Sequence, residues 1–348
     1  MTTIQQDPGS FRDPLSRVFV GPDTVVRAFT AEGKADIDAV WSKKSISRAL
    51  ASGDLIESTV VEPSSVGLGA PWVGAMTHPK VPFISYPYEW TFSMLKDAAL
   101  LQLRLTRETL ADGIGLKDAT PYNVQFIGAR PQFIDAGSFE KRKKSDPWYG
   151  YRQFCEMFLY PLMLQGYLGV GFQPFLRGAV NGISPDTMRK LLPASIRHPR
   201  KGRLTHVVLH AAAQNRFADS NVEMKKEAAK AGMSASVLDA TLGKLEKIVR
   251  GLALGDKKST WSEYTERGHY IENSLDEKER FVRDAVASGP RRLVFDIGCN
   301  DGALLAALAT AGHRELVGLE PNPVAAELAR QKGHKVYTNY LDNEVAAR

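Results

Sequence analysis

The chain has 348 residues, more than one hydrophobic core usually covers, so two or three domains are expected. A hydrophobic content of 43% with 24% charged residues excludes a wholly disordered chain. The formal net charge of +6 comes partly from EKRKK at 140–144 and IRHPRKGR at 196–203, runs that read as solvated surface or linker. Neither run sits in a reader module, so nucleic acid is not expected as a partner. Cys155 and Cys299 are far apart and lack CxxC spacing, so neither a disulfide framework nor a cysteine metal site is supported. The N-terminus lacks the basic and apolar blocks of a signal peptide. The most apolar run, MFLYPLMLQGYLGVGF at 157–172, is broken by Pro161 and Gln165 and is short for a membrane span, so a cytoplasmic protein is expected.

In chain order, residues 1–14 read as a disordered tail. SRVFVG and TVVRAF, around Gly21-Pro22-Asp23, predict a hairpin. Ile37, Val40, Trp41, Ile46 and Leu50 space out a helix over 35–52, LIESTVVE resumes the strand pattern, and PFISYPYEW at 82–90 predicts another strand. A strongly periodic helix follows and is closed by Gly113. The loop GLKDATPYNV leads to a hairpin, VQFIGARPQFIDAGSF, and then to a helical region from Trp148 to Leu168. Residues 173–204, rich in Pro, Gly and Arg, suggest a boundary, within which Ser184 and Pro185 can start a short helix. Residues 217–253 read as two amphipathic helices broken near 232–234, the second capped by Ser234 or Ser236. SLDEKERF starts a further helix at Ser274. RLVFDIG, ELVGLEP and KVYTNY then alternate with two helical stretches, the signature of a parallel sheet, but the alternation stops after three strands.

Within that alternation, LVFDIGCNDGALL at 293–305 is a buried strand, a glycine turn and a helix start. Glycines let the backbone turn sharply and approach a ligand, and the helix N-terminus points free N–H groups at the crevice. The next strand ends at Glu320, placed to accept hydrogen bonds from vicinal hydroxyls. The turn reads D-x-G-x-N-x-G, not the G-x-G-x-x-G of dinucleotide binders, and an acid so near the ligand would repel a pyrophosphate. A cationic, phosphate-free ligand suits it better.

Residues 293–323 resemble the first two strands of class I S-adenosylmethionine-dependent methyltransferases. The resemblance implies a Rossmann-like domain with S-adenosylmethionine as cofactor, held by Asp296, Gly298, Asn300, Gly302 and Glu320. It also implies an adenine contact after the third strand, for which Asp342 is the candidate and Asn339 a weaker one. The family's fourth strand is absent, so the domain reads as truncated, with a sheet edge and an apolar face uncovered. Trp261, Tyr264 and Tyr270 are candidates to fold over its mouth. The methyl acceptor is open between a small molecule and a macromolecule.

A second constellation lies at 116–139. Asp118 and Asn123 flank Pro121, and a hairpin carries the chain to Asp135 in Asp-Ala-Gly. Such oxygen ligands can bind magnesium or position a hydroxyl for attack on a phosphate. The stretch resembles the catalytic and metal-binding loops of protein-kinase-like phosphotransferases, particularly the branch related to aminoglycoside and choline kinases. That resemblance implies Asp118 as catalytic base, Asn123 and Asp135 as magnesium ligands, and ATP as co-substrate. The sequence departs from the pattern at Leu116 and Ala136, has no glycine-rich phosphate loop, and offers Arg27 where the family carries a strand lysine. A non-catalytic, pseudokinase-like binding role is the alternative, with Asp118 and Asn123 capping backbone groups.

The expected fold is therefore an α+β kinase-like domain over 15–200, a helical connector over 201–260, and a partial S-adenosylmethionine-binding α/β domain over 261–348. The expected function is S-adenosylmethionine-dependent methyl transfer, with ATP-dependent phosphotransfer or non-catalytic binding as alternatives.

Overall fold

β-Branched and aromatic residues at the start of the chain build an antiparallel sheet in the computed structural model, which describes residues 4–142, 146–192, 194, 200–216, 234–254, 274–288, 293–313 and 315–338. Its strands are β1 (Gln5–Gln6), β2 (Ser16–Val20), β3 (Thr24–Phe29), β4 (Thr59–Val61) and β5 (Gly74–Pro79), in the order β1-β2-β3-β5-β4. The expected β2–β3 hairpin forms, with Val18 opposite Arg27. Residues 4–14 are not the loose tail expected. Gln5 and Gln6 pair with Val20 and Phe19, and Asp7 caps the following turn by accepting from the Gly9 amide at 2.8 Å. Strand β5, GAMTHP, carries no strong strand signal, yet pairing on both sides makes it central and buries Met76 completely.

The helix expected over 35–52 is two helices, α1 (Ala31–Trp41) and α2 (Lys44–Ser52). Thr30 caps the first, Lys43 between them is extended, and Asp112 accepts the Ser45 amide at 2.8 Å, which supplies the second with its own N-terminal partner. Residues 82–90 are not a strand. Pro82 and Pro87 cannot donate to a ladder, the Glu89 carboxylate takes the Tyr86 amide at 2.8 Å, and the Gln125 side chain brackets Ser85 through its N–H (2.9 Å) and C=O (3.0 Å).

Helix α3 (Phe92–Leu110), capped by Thr91, is the spine of the molecule, with Leu95, Ala98, Ala99, Leu103 and Leu105 fully buried. Against it lie β6 (Ile114–Leu116), which pairs with β9 (Phe139–Lys141), and the hairpin of β7 (Val124–Ile127) with β8 (Arg130–Phe133), turned by Gly128 at φ +57°. Helices α4 (Tyr151–Phe154) and α5 (Tyr160–Leu168) are joined by a π turn, Cys155–Leu159, which widens the coil ahead of Pro161, a residue with no N–H to give. Next come α6 (Gln173–Gly178), α7 (Pro185–Leu191, capped by Ser184 as expected) and α8 (Leu209–Arg216). Helix α9 (Ala235–Gly251) is capped by Ser234 and lays Leu238, Leu242, Leu245 and Val249 into the core. Arg107 fixes it to α3 through Asp239 and Glu246, both at 2.8 Å.

Near the C-terminus, α10 (Ser274–Ala287) precedes a parallel sheet of β10 (Val294–Ile297), β11 (Leu316–Leu319) and β12 (Val336–Tyr337), in that order, with α11 (Ala303–Thr310) and α12 (Pro323–Gln331) in the crossovers. One side packs Leu305, Ala326 and Ala329 against Val336 and Cys299. The other face, expected to be uncovered, is not. Phe295, Val317, Leu319 and Tyr337 join the main core, where Phe83 stacks on Tyr337 (centroids 5.4 Å) and meets Phe295 edge-on (5.2 Å). The architecture is mixed α/β, with an antiparallel sheet in the N-terminal part and a parallel sheet near the C-terminus.

Candidate functional site

The strand-to-helix turn after β10 is built by its glycines and by one carboxylate. Gly298, Asn300 and Gly302 have φ of +78°, +49° and +79°, a left-handed region that suits glycine and that asparagine tolerates. The amides of Gly298 (2.7 Å) and Cys299 (3.2 Å) both reach the Leu319 carbonyl, folding the turn over the end of β11. Glu320, 8% exposed, accepts the Asn300 amide on Oε2 (2.9 Å) and the Asn322 amide on Oε1 (2.8 Å). Each oxygen keeps a second lone pair. The acid thus organises the loops on both sides of the crevice while retaining capacity for a hydroxyl donor.

The glycines differ in their surroundings. A Cβ on Gly298 would meet nothing within 4 Å, so the backbone there faces open space. A Cβ on Gly302 would lie 3.0 Å from the Ala329 Cβ and 2.9 Å from the His334 ring, so this glycine lets α12 pack closely. Gly318, not singled out in the sequence, is there because a Cβ would sit 2.5 Å from the Cys299 sulfur. Burial pushes the Cys299 thiol pKa upward, and Asp296 and Glu320 add to the shift, which disfavours the thiolate form. Asp296 itself is held above the ordinary carboxylate range by burial, against Lys278 and with a smaller contribution from Glu320. The two carboxylates thus interact electrostatically, beside a turn whose Gly298 backbone faces open space. Asn322 caps α12 through the amides of Val324 and Ala325, a role its place before Pro323 could have signalled. Asp342, Asn339, Trp261, Tyr264 and Tyr270 lie outside the described residues.

The second constellation is also assembled. Asp135 Oδ1 accepts from Arg27 at 2.7 Å and from the Gly137 amide at 3.2 Å, while the Asn123 amide nitrogen faces Oδ2 at 3.5 Å. A cation on Asp135 would have to displace the guanidinium. Asp118 stands on the wall of a cleft of about 620 Å³, with Lys117, Tyr122, Arg152, Glu156 and Asn181 among the lining residues. Partial desolvation and then Asp135 raise its carboxyl pKa, against Lys117. Its backbone is fixed by Ser138, which accepts its N–H at 3.3 Å, and by Gln102, which donates to its carbonyl at 3.1 Å. Missed in the sequence was His78, a buried neighbour of this group whose pKa falls to about 4 through burial and then Arg27. Among the described residues no cluster of three or more His, Cys, Asp or Glu is disposed to hold a metal ion, and no helix is long and apolar enough to cross a membrane.

Fold and sites together define a mixed α/β protein in which a parallel strand–turn–helix crevice is docked on an antiparallel-sheet and helical unit. No protein-family profile matches the chain. It is 32% identical to nodulation protein NoeA of Rhizobium meliloti (strain 1021) over 344 residues, 98% of this chain and 71% of the relative, and so it belongs to the NoeA family.

Proposed function

We propose that the parallel-sheet unit is the Rossmann-like part of an S-adenosylmethionine-dependent methyltransferase. The observation that carries this reading is the open, left-handed Gly298 turn, tied through the Asn300 amide to Glu320, with Asp296 close enough to feel that carboxylate. These residues fit the cofactor. Gly298 admits a ligand against the backbone, the free lone pairs of Glu320 match ribose hydroxyls, and Asp296 matches a cationic amino group. When bound, the cofactor supplies a methyl group on a sulfonium. The chain's residues would bind, orient and desolvate it, so that an acceptor nucleophile meets the methyl in line. The relative's name attaches that protein to nodulation and specifies no reaction.

Calorimetric titration with S-adenosylmethionine tests the reading. Saturable binding is expected, weakened at least tenfold by Asp296→Asn with an unchanged unfolding midpoint. A folded wild-type chain that gives no binding heat would overturn it.

A second reading concerns the Asp118 cleft. We infer a kinase-like unit that binds a small molecule there without phosphotransfer, because Arg27 and Asn123 already engage the carboxylate that magnesium would need. Magnesium-dependent ATP turnover, removed by Asp118→Ala, would overturn this in favour of catalysis.

A further inference from the structure

The cleft of about 620 Å³ beside Asp118 lies within the span of small-molecule sites, about 300–1,000 Å³. One wall includes Lys117, Asp118 and Tyr122 from the loop after β6; another includes Arg152 and Gln153 of α4 and Glu156 of the π turn. The loop is pinned by its backbone. Three consecutive amides are taken up by the scaffold: that of Lys117 by the Ser138 carbonyl (2.9 Å), that of Asp118 by the Ser138 hydroxyl (3.3 Å) and that of Ala119 by Gln153 Oε1 (2.7 Å). Gln102 completes the set by donating to the Asp118 carbonyl at 3.1 Å.

The side chains are not spent in the same way. Asp118 is exposed and Lys117 half-buried, and among the described residues neither the carboxylate nor the ammonium has a hydrogen-bond or ion-pair partner, nor do they pair with each other. Arg152 gives its Nε to Glu156 at 3.0 Å and keeps both terminal amino groups of a half-exposed guanidinium unengaged among those residues. A pinned backbone that presents unspent charges is preorganised for a charged ligand, because binding then has little of the protein left to order. The signs select the ligand. A simple anion on Lys117 and Arg152 meets the Asp118 carboxylate, and a simple cation on Asp118 meets Lys117 and Arg152. A molecule that carries both an ammonium and a carboxylate satisfies both sets, and the rings of Tyr122 and Tyr149 offer apolar faces to the rest of it.

We propose that the Asp118 cleft takes a free amino acid or a close zwitterionic relative, with the ammonium on Asp118 and the carboxylate on Lys117 and Arg152. The inference rests on the second reading above, non-catalytic binding of a small molecule at this cleft, and supplies the class of that molecule.

The test is calorimetric titration of the chain with each standard amino acid at millimolar concentration, followed by the carboxamide and the N-acetyl form of any that bind. At least one free amino acid is expected to bind saturably. Its carboxamide, which lacks the negative charge, and its N-acetyl form, which lacks the positive one, should each bind about tenfold more weakly, the loss expected of one charge-assisted hydrogen bond. Asp118→Asn should weaken the free amino acid by a similar factor and erase its advantage over the N-acetyl form, whereas Lys117→Met should reduce its advantage over the carboxamide. Both variants should keep the wild-type unfolding midpoint, since neither side chain bonds to the fold. Failure of every free amino acid to bind, or binding that both variants leave unchanged, overturns the inference. A carboxamide that binds as tightly as its parent overturns recognition of a zwitterion and leaves small-molecule binding at the cleft standing. Magnesium-dependent ATP turnover, by contrast, overturns the second reading and not the class of ligand.

Discussion

Alanine at Gly298 and alanine at Gly302 should behave differently, although both glycines sit near φ +78° in the same turn. At Gly298 the added methyl meets nothing within 4 Å, so the cost is the left-handed backbone alone, about 1–2 kcal/mol. At Gly302 the same backbone cost is joined by contacts of 3.0 Å to the Ala329 Cβ and 2.9 Å to the His334 ring. Ala329 belongs to a packed helix and cannot withdraw cheaply, so overpacking adds about 1–3 kcal/mol, for a total of about 2–5 kcal/mol. Amide hydrogen exchange, read on peptides covering β11 and β12, reports local opening of this unit directly. Gly298→Ala should accelerate exchange roughly 5- to 30-fold, and Gly302→Ala from about 30-fold to several thousand-fold. Ligand affinity should run the other way: Gly298→Ala fills the cradle and should lose S-adenosylmethionine affinity out of proportion to its small loss of stability. Equal acceleration by the two variants, or full affinity in Gly298→Ala, would refute the assignment of one glycine to the ligand and the other to packing.

Three further perturbations probe the N-terminal group and the seam between the two units. Arg27→Met should raise the His78 pKa from about 4, since Arg27 is the second cause of its depression after burial; an NMR titration of His78 that does not move would refute the placement. The folded pKa lies below the ordinary value of 6.5, so the unfolded chain takes up the proton first. The contribution of His78 is fully present above pH 6.5 and is lost as pH falls toward 4, at up to about 1.4 kcal/mol per pH unit. Urea midpoints of His78→Phe should accordingly fall less steeply over that range than those of wild type, and an identical slope would count against it. At the seam, Arg330 pairs with Asp97 at 2.6 Å with its side chain 11% exposed, so a double-mutant cycle with alanine at both should return about 1–2 kcal/mol of coupling; independent, additive effects would show that the pair does not hold the units together.

The local elements that were legible in the sequence share one property: their partners are near in the chain. The β2–β3 and β7–β8 hairpins, the caps at Ser184 and Ser234, and the strand–turn–helix run from Val294 all follow from turn residues and periodicity within about thirty residues. What failed depends on distant side chains. Asp112 divides the helix expected over 35–52 from 67 residues away, and Gln125 replaces a strand partner for Ser85 from 40 residues away. The candidate residues of both sites were legible by type and order, but their engagements were not. Nothing local says that Glu320 spends one lone pair of each oxygen on the turn, or that Arg27 turns from β3 to Asp135.

The seam also changes how the short parallel sheet can be understood. Three strands with two crossover helices bury too little by themselves, and the sequence alone makes the far face look like a defect. Here that face is closed by the segment just before and within α3. Phe83 stacks on Tyr337, Trp90 pairs with Tyr337 in a short antiparallel backbone bridge, the Thr338 amide donates to the Glu89 carbonyl at 2.9 Å, and Glu327 of α12 accepts the Ser93 amide at 3.2 Å in the first turn of α3. A carboxylate at that position also complements the helix dipole, and Arg330, one turn further along α12, meets Asp97 one turn further along α3. Each large apolar side chain buried this way contributes about 1.5–3 kcal/mol. Several such groups supply what the small sheet lacks internally. The carboxyl ends of the strands, where a ligand would sit, are therefore positioned by α3 and its leading segment as much as by the sheet itself. A substitution at Phe83 or Asp97 should then loosen the Glu320 crevice without touching any residue that faces it.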